Sequence, residues 1–308
     1  MKKWIVFTAV CLGYFFGIGI YFSNRIMFMK KKEDAFIQNR EIEANRINLD
    51  DFHSLPKTEW LLLSPYGYTL KCLCVEPHQT EKWIIICHGI TENKMNSIKY
   101  MNIFLKRGFN AVIYDHRRHG ESGGRTSSYG YYEKFDLKAV VDEVKRLKGS
   151  EITIGVHGES MGAVTALLYA GMLGDAADFY IADCPFSRFE DQIKHQIKAE
   201  LPLPSWMILP IGRRFIKWRD GYWTKDVAPL DCIQQIHHPV LFIHSAPDTY
   251  IPSWMTEALY NAKPGPKQLF LAKTGAHAQS YNEDPEEYEK QISLFLSSYV
   301  WKEEASSS

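Results

Sequence analysis

The sequence carries no excess charge: 36 Lys and Arg balance 36 Asp and Glu over 308 residues. That removes the electrostatic attraction on which nucleic-acid binding usually depends, so no nucleic-acid partner is expected. Also missing are any pair of CxxC motifs and any histidine spacing of the kind that holds zinc. The six cysteines stand singly except for Cys72 and Cys74, on one face of a predicted strand. Buried free thiols are expected, with neither a metal centre nor a disulfide framework. Uncharged apolar runs of membrane-spanning length are missing too, with one exception.

The exception is Trp4 to Phe22. At about 1.5 Å per residue it is long enough for a hydrocarbon core of about 30 Å. No A-x-A-like cleavage site follows it, which favours a retained anchor over a cleaved leader. Arg25, Lys30, Lys31 and Lys32 on its far side, together with unpaired cysteines, place the body of the chain on the cytoplasmic face; Lys2 and Lys3 argue the other way. The expected layout is an anchor with its basic flank over 1–30, a linker over 31–56, one domain over 57–302 and a tail over 303–308. Phe36, Ile37, Ile42 and Ile47 are too loosely spaced for a core helix, hence the linker.

The rest is organised around Glu151 to Gly174, which reads as strand, sharp turn and helix. Ile152, Thr153, Ile154 and Val156 form a short β-branched run suited to burial on both faces. Gly158-Glu159-Ser160-Met161-Gly162 follows at once, and Ala163 to Leu173 supplies strong helix formers stopped by Gly174. Such a turn lifts a serine hydroxyl clear of the sheet, and the helix N-terminus favours a developing oxyanion. The same G-x-S-x-G pattern recurs at Gly120-Glu121-Ser122-Gly123-Gly124. There Asp115 to His119 separates it from the preceding strand and no helix follows, so Ser160 is the expected nucleophile and Ser122 a decoy.

Strands are predicted at Trp60–Leu63, Leu70–Val75, Lys82–Cys87, Asn110–Tyr114, Phe179–Ala182, Val240–His244 and Gln268–Leu271, besides the one before Ser160. Helical stretches alternate with the later strands, and Asp284-Pro285-Glu286-Glu287 starts a last helix. This rhythm implies a mainly parallel α/β sheet covered on both faces, with ligands beyond the carboxyl ends of its strands. An insertion at about 186–236 holds two helical stretches and reads as a lid. Its Trp206, Trp218, Tyr222 and Trp223 either line an apolar pocket or pack the lid onto the domain.

A serine nucleophile needs a base, and the base needs an orienting acid. His277, in the loop after the last strand, is positioned to fall over the turn at the sheet's carboxyl edge. His88 and His157 end strands near the same edge in tight turns, where orienting backbone is the expected role; His237 and His238 read as linker. Asp248, after the penultimate strand, is the expected acid, with Asp183 as its rival.

From about residue 60 to 300 the chain resembles the α/β-hydrolase superfamily, in the branch of serine esterases, lipases and aminopeptidase-like hydrolases. The resemblance rests on His88-Gly89-Ile90, on Gly158 to Gly162, and on Asp248 with Ile251-Pro252. Asp115 to Gly124 is similar to the family segment D-x-R-G-H-G-x-S-x-G, but has Arg118 where the family has glycine. The resemblance implies the α/β-hydrolase fold and an oxyanion hole from the backbone N–H groups of Ile90 and Met161. It also implies hydrolysis of a carboxylic ester or similar small acyl substrate through an acyl-enzyme with no cofactor or metal; the anchor and the aromatic lid together suggest a lipid-like or hydrophobic acyl group. A peptidase, thioesterase or acyltransferase would use the same three residues. A non-catalytic, membrane-tethered binding protein is the reading from another class.

Overall fold

The computed structural model describes residues 1–301; the expected tail over 303–308 lies outside the described residues. Its strands are β1 (Lys57–Leu63), β2 (Thr69–Val75), β3 (Lys82–Cys87), β4 (Asn110–Tyr114), β5 (Thr153–Glu159), β6 (Phe179–Asp183), β7 (Val240–Ser245) and β8 (Lys267–Ala272). They form one sheet in the order β1-β2-β4-β3-β5-β6-β7-β8. β1 and β2 form an antiparallel hairpin and β2 runs antiparallel to β4, while β3 to β8 are parallel. The chain order reverses between β3 and β5, the place where an open parallel sheet offers a crevice at its carboxyl edge.

The helices are α1 (Lys2–Met27), α2 (Asp34–Glu43), α3 (Leu49–Ser54), α4 (Ile98–Leu105), α5 (Glu133–Lys148), α6 (Met161–Leu173), α7 (Phe189–Glu200), α8 (Ser205–Asp220), α9 (Pro229–Cys232), α10 (Trp254–Ala262), α11 (Ser280–Glu283) and α12 (Pro285–Tyr299). Strand alternation divides the core between two helical layers. Ile85 and Cys87 of β3 face α5 and α6, whereas Ile84 and Ile86 face α4 and α12. The side chain of Asp284 caps α12 by accepting from Glu287 N at 3.0 Å.

One expectation needs correction, and one open alternative is decided. The stretch read as a linker folds into α2 and α3, and Ile37, Ile47 and Phe52 are buried in the α4 and α12 layer. No single helical stripe announces this, because the three residues come from separate elements. Glu41, fully buried, is compensated by Arg46 at 2.5 Å, Arg40 at 2.6 Å and Lys99 at 3.5 Å. In the insertion, Trp206 and Trp218 are 72% and 75% exposed, while Tyr222 is buried and stacks on Tyr131 at 4.7 Å. None of the four named aromatics lines the cavity at Ser160; Phe186, Phe189 and Ile193 do so instead.

α1 is the one helix among the described residues long and apolar enough to cross a membrane. Its first two thirds are largely exposed, and its last turns pack against α8.

Candidate active site

Ser160 stands between β5 and α6 with φ 54° and ψ −113°, a conformation that costs about 1–3 kcal/mol and needs support from its surroundings. Part of that support is backbone: Ser160 N donates to Asp183 O at 2.7 Å, and Ser160 O accepts from Val164 N at 3.0 Å. The flanking glycines are needed for space. A Cβ on Gly162 would stand 2.0 Å from Cys87 O, and one on Gly158 would stand 2.3 Å from Gly162 C.

The loops after β7 and β8 bring two further residues to this serine. His277 Nε2 lies 2.8 Å from Ser160 Oγ, and His277 Nδ1 lies 2.7 Å from Asp248 Oδ2. A carboxylate only accepts, so Nδ1 carries the proton and Nε2 is free to accept one from the hydroxyl. Asp248 is itself held by Tyr250 N at 2.8 Å and Ile251 N at 3.0 Å, both on Oδ1, and by His244 Nε2 at 3.2 Å. Burial alone would raise its pKa, but the hydrogen bonds from His244 and His277 outweigh it and hold the carboxyl below its usual range. His244 was not singled out in the sequence; its position at the end of β7, four residues before Asp248, is the signal that could have found it.

The rivals fall elsewhere. Asp183 is fully buried, accepts from Tyr288 OH at 3.1 Å, and makes no hydrogen bond to His277. Burial, reinforced by the neighbouring Glu159 charge, pushes its pKa up to about 8. Ser122 Oγ is tied into a loop, donating to Asp115 O at 2.7 Å and accepting from Lys71 N at 2.8 Å. His157 meets Tyr288 OH at 2.8 Å inside the core, and His237 and His238 lend their backbone N–H groups to Asp175.

His88 shapes the loop beside Ser160. Its Nδ1 donates to Gly89 O at 2.7 Å and its Nε2 accepts from His116 N at 2.9 Å, the neutral form that burial favours by lowering its pKa to about 4. This loop lies close over the turn, for a Cβ on Gly89 would stand 3.6 Å from Ser160 Cβ. Ile90 follows, and Met161 opens α6, where a helix N–H has no acceptor within the helix. Both residues border Ser160 in the same cavity. Arg118, the departure from glycine, keeps a left-handed conformation with φ 66°.

Two cavities of unlike character meet at Ser160. One, of about 320 Å3, is walled by apolar residues including Phe22, Ile26, Phe186, Phe189 and Ile193. The other, of about 310 Å3, is lined by Arg40, Arg46, Lys99, Glu92 and Glu159 and reaches His277. Each lies at the small end of the range of about 300–1,000 Å3 for small-molecule sites.

A family model described as serine aminopeptidase, S33, matches residues 78–218. The chain is 50% identical over 297 residues to YqkD of Bacillus subtilis (strain 168), covering 96% of this chain and 97% of that protein. It is 25% identical over 146 residues to the probable lysophospholipase L2 of Haemophilus influenzae, covering 46% of each. The structure of the Pyrococcus furiosus esterase Pf2001 superposes with a TM-score of 0.66 at 22% identity, covering 82% of this chain and 96% of that one, a likeness of fold. Sheet order, strand-turn-helix and these matches together establish that the chain belongs to the α/β-hydrolase superfamily, and that it is a hydrolase by family.

Proposed function

We propose that this protein is a serine hydrolase that cleaves a carboxylic ester or a similar acyl substrate through an acyl-enzyme. The observation that carries this reading is the continuous relay from Asp248 through His277 to Ser160, with contacts of 2.7 and 2.8 Å. Ser160 Oγ attacks the carbonyl carbon while His277 Nε2 takes its proton. The tetrahedral oxyanion is met by the backbone N–H groups of Ile90 and Met161, each worth about 2.7–4 kcal/mol in such sites. His277 then gives its proton to the leaving oxygen, and water releases the acyl group by the same steps in reverse. Asp248 holds the imidazole in the tautomer this requires.

The paired cavities support an amphiphilic ester, with the acyl part on the apolar side and a polar leaving group beside Arg40, Arg46 and Lys99. The name of the Haemophilus relative points the same way. We read α1 as a retained anchor and the hydrolase domain as cytoplasmic, which the unpaired cysteines support. Proteolysis of the domain in right-side-out cells would refute that orientation.

The test is a fluorophosphonate probe followed by intact mass on the full-length protein. Labelling of wild type and Ser122→Ala, lost in Ser160→Ala, is the expected result; no labelling of folded wild type would leave a binding protein on a hydrolase fold. Ester, thioester and aminoacyl-amide substrates then separate the bond types, and amide turnover above ester turnover would favour a peptidase.

A further inference from the structure

α1 has two dissimilar halves. From Trp4 to Phe16 its apolar side chains are largely open, as a bilayer-facing surface is. From Gly19 onward Phe22, Ser23, Ile26 and Met27 are buried in the protein. This half docks through interlocking parts. The ring of Phe215 occupies the place where a side chain on Gly19 would be, at 2.3 Å, and the ring of Phe22 does the same over Gly212 at 2.1 Å. Arg219 donates to Ser23 Oγ, and Arg25 pairs with Glu200 of α7. At the last residue of the helix Ser127 N donates to Met27 O at 3.1 Å, and just beyond it Arg118 Nη1 donates to Met29 O at 2.8 Å.

Arg118 is the residue that stands where the resembled family has glycine. It accepts a left-handed backbone that a non-glycine residue seldom adopts, and its side chain clamps the end of α1. A tether needs none of these contacts. The same half of α1 supplies Tyr21, Phe22 and Ile26, and the segment just after it Met29, to the apolar cavity at Ser160, facing Phe189 and Ile193. Among the residues that line this cavity, Tyr21, Arg25 and Glu200 are exposed, which puts its mouth along α1, on the side that continues into the open apolar half.

We propose that the C-terminal half of α1 is a wall of the substrate site, that Ile26 and Phe22 set the length of acyl chain accepted, and that the chain enters along α1 from the lipid side. This rests on Ser160 being the nucleophile. An acyl group attached there runs beside Ile26 towards Tyr21 and the exposed helix, so a lipid-borne ester reaches the serine without taking its chain through water. Removing α1 as a leader would strip one wall from the cavity.

The experiment uses the full-length protein in detergent micelles with p-nitrophenyl esters of increasing acyl length. Ile26→Trp is expected to lower the ratio of kcat/KM for a long-chain ester to that for acetate at least tenfold, and Ile26→Ala to move the optimum to longer chains. Leu12→Trp, on the open half, should leave the ratio unchanged. Ratios unmoved in both Ile26 variants would overturn the proposal. Fluorophosphonate labelling of the same preparations keeps the two readings apart: an unlabelled wild type refutes the nucleophile, whereas normal labelling with unmoved ratios refutes only the wall. If Ile26→Trp does not take up the probe, Ile26→Ala, which only removes atoms, decides.

Discussion

His244 Nε2 stands 3.2 Å from Asp248 Oδ2, the oxygen that also meets His277 Nδ1. Its other close neighbour is Ile251 O at 2.8 Å. Both are acceptors, so this nitrogen carries a proton; its hydrogen bond goes to Ile251 O, and its polarised N–H edge lies beside the carboxylate. Asp248→Asn should lower kcat by about 10^4, the loss typical when an amide replaces a triad carboxylate. His244→Leu leaves the buried Ile251 O without its donor and takes the N–H edge from beside the carboxylate, at a cost of about 1–3 kcal/mol, and should lower kcat/KM by roughly tenfold. Steady-state rates on one p-nitrophenyl ester check both; an unaffected Asp248→Asn would remove Asp248 from the relay.

Asp183 carries a pH dependence of opposite sign from that of Asp248. In the unfolded chain an aspartate titrates near about 4, whereas in the fold this one is pushed up to about 8, first by burial and then by Glu159. Between those values the native state holds a proton that the unfolded chain has released. Its contribution to stability is therefore full below about pH 4 and is lost as pH rises towards about 8. Asp183→Asn cannot ionise, so its Tm relative to wild type should climb between about pH 5 and about pH 8. A difference that stays flat across that interval would show that Asp183 titrates normally. Fluorophosphonate labelling should survive this substitution, because Asp183 does not contact His277.

Ser122 should prove structural. Its hydroxyl joins Lys71 N to Asp115 O, and Ser122→Ala takes that partner from the buried Asp115 O and the half-buried Lys71 N. The expected cost is about 1–3 kcal/mol, read as a lowered midpoint in chemical denaturation, with probe labelling of the folded protein intact. Loss of labelling at unchanged stability would give this serine a role in the chemistry.

Gly162 tests the backbone of the site. An added Cβ meets Cys87 O at 2.0 Å, and the obstacle is main chain just ahead of His88 and Gly89. Gly162→Ala must push the Gly89–Ile90 loop away from Ser160. Since losing one oxyanion donor costs about 10^2–10^3 in rate, probe labelling should slow by at least about a hundredfold. Stopped-time labelling at wild-type speed would mean that the loop accommodates the methyl group without consequence.

What the sequence determined by itself is local. Strand, turn and helix are contiguous around Ser160 and interrupted around Ser122, so one G-x-S-x-G could be told from the other without coordinates. The six parallel strands were legible because short apolar runs between turn residues mark buried parallel strands, the β1–β2 hairpin because turn residues separate two apolar runs, and the start of α12 because Asp284 and Pro285 carry a helix-start signal. His277 and Asp248 were legible through their places after the last two strands, which a parallel sheet must bring to one edge. Tertiary structure alone decided what depends on neighbours distant in sequence. The sequence ranked Asp248 over Asp183, and the structure supplied the contact: both carboxylates are buried, but Asp248 stands 2.7 Å from His277 Nδ1 while Asp183 ends β6 against Tyr288. That residues 34–54 fold onto the domain turned on three apolar side chains from separate elements sharing one pocket of the core. The place of α1 was the least legible of all. Hydropathy records that a side chain avoids water but not what replaces the water, so Trp4 and Phe22 read alike in sequence although one is open and the other borders the cavity at Ser160.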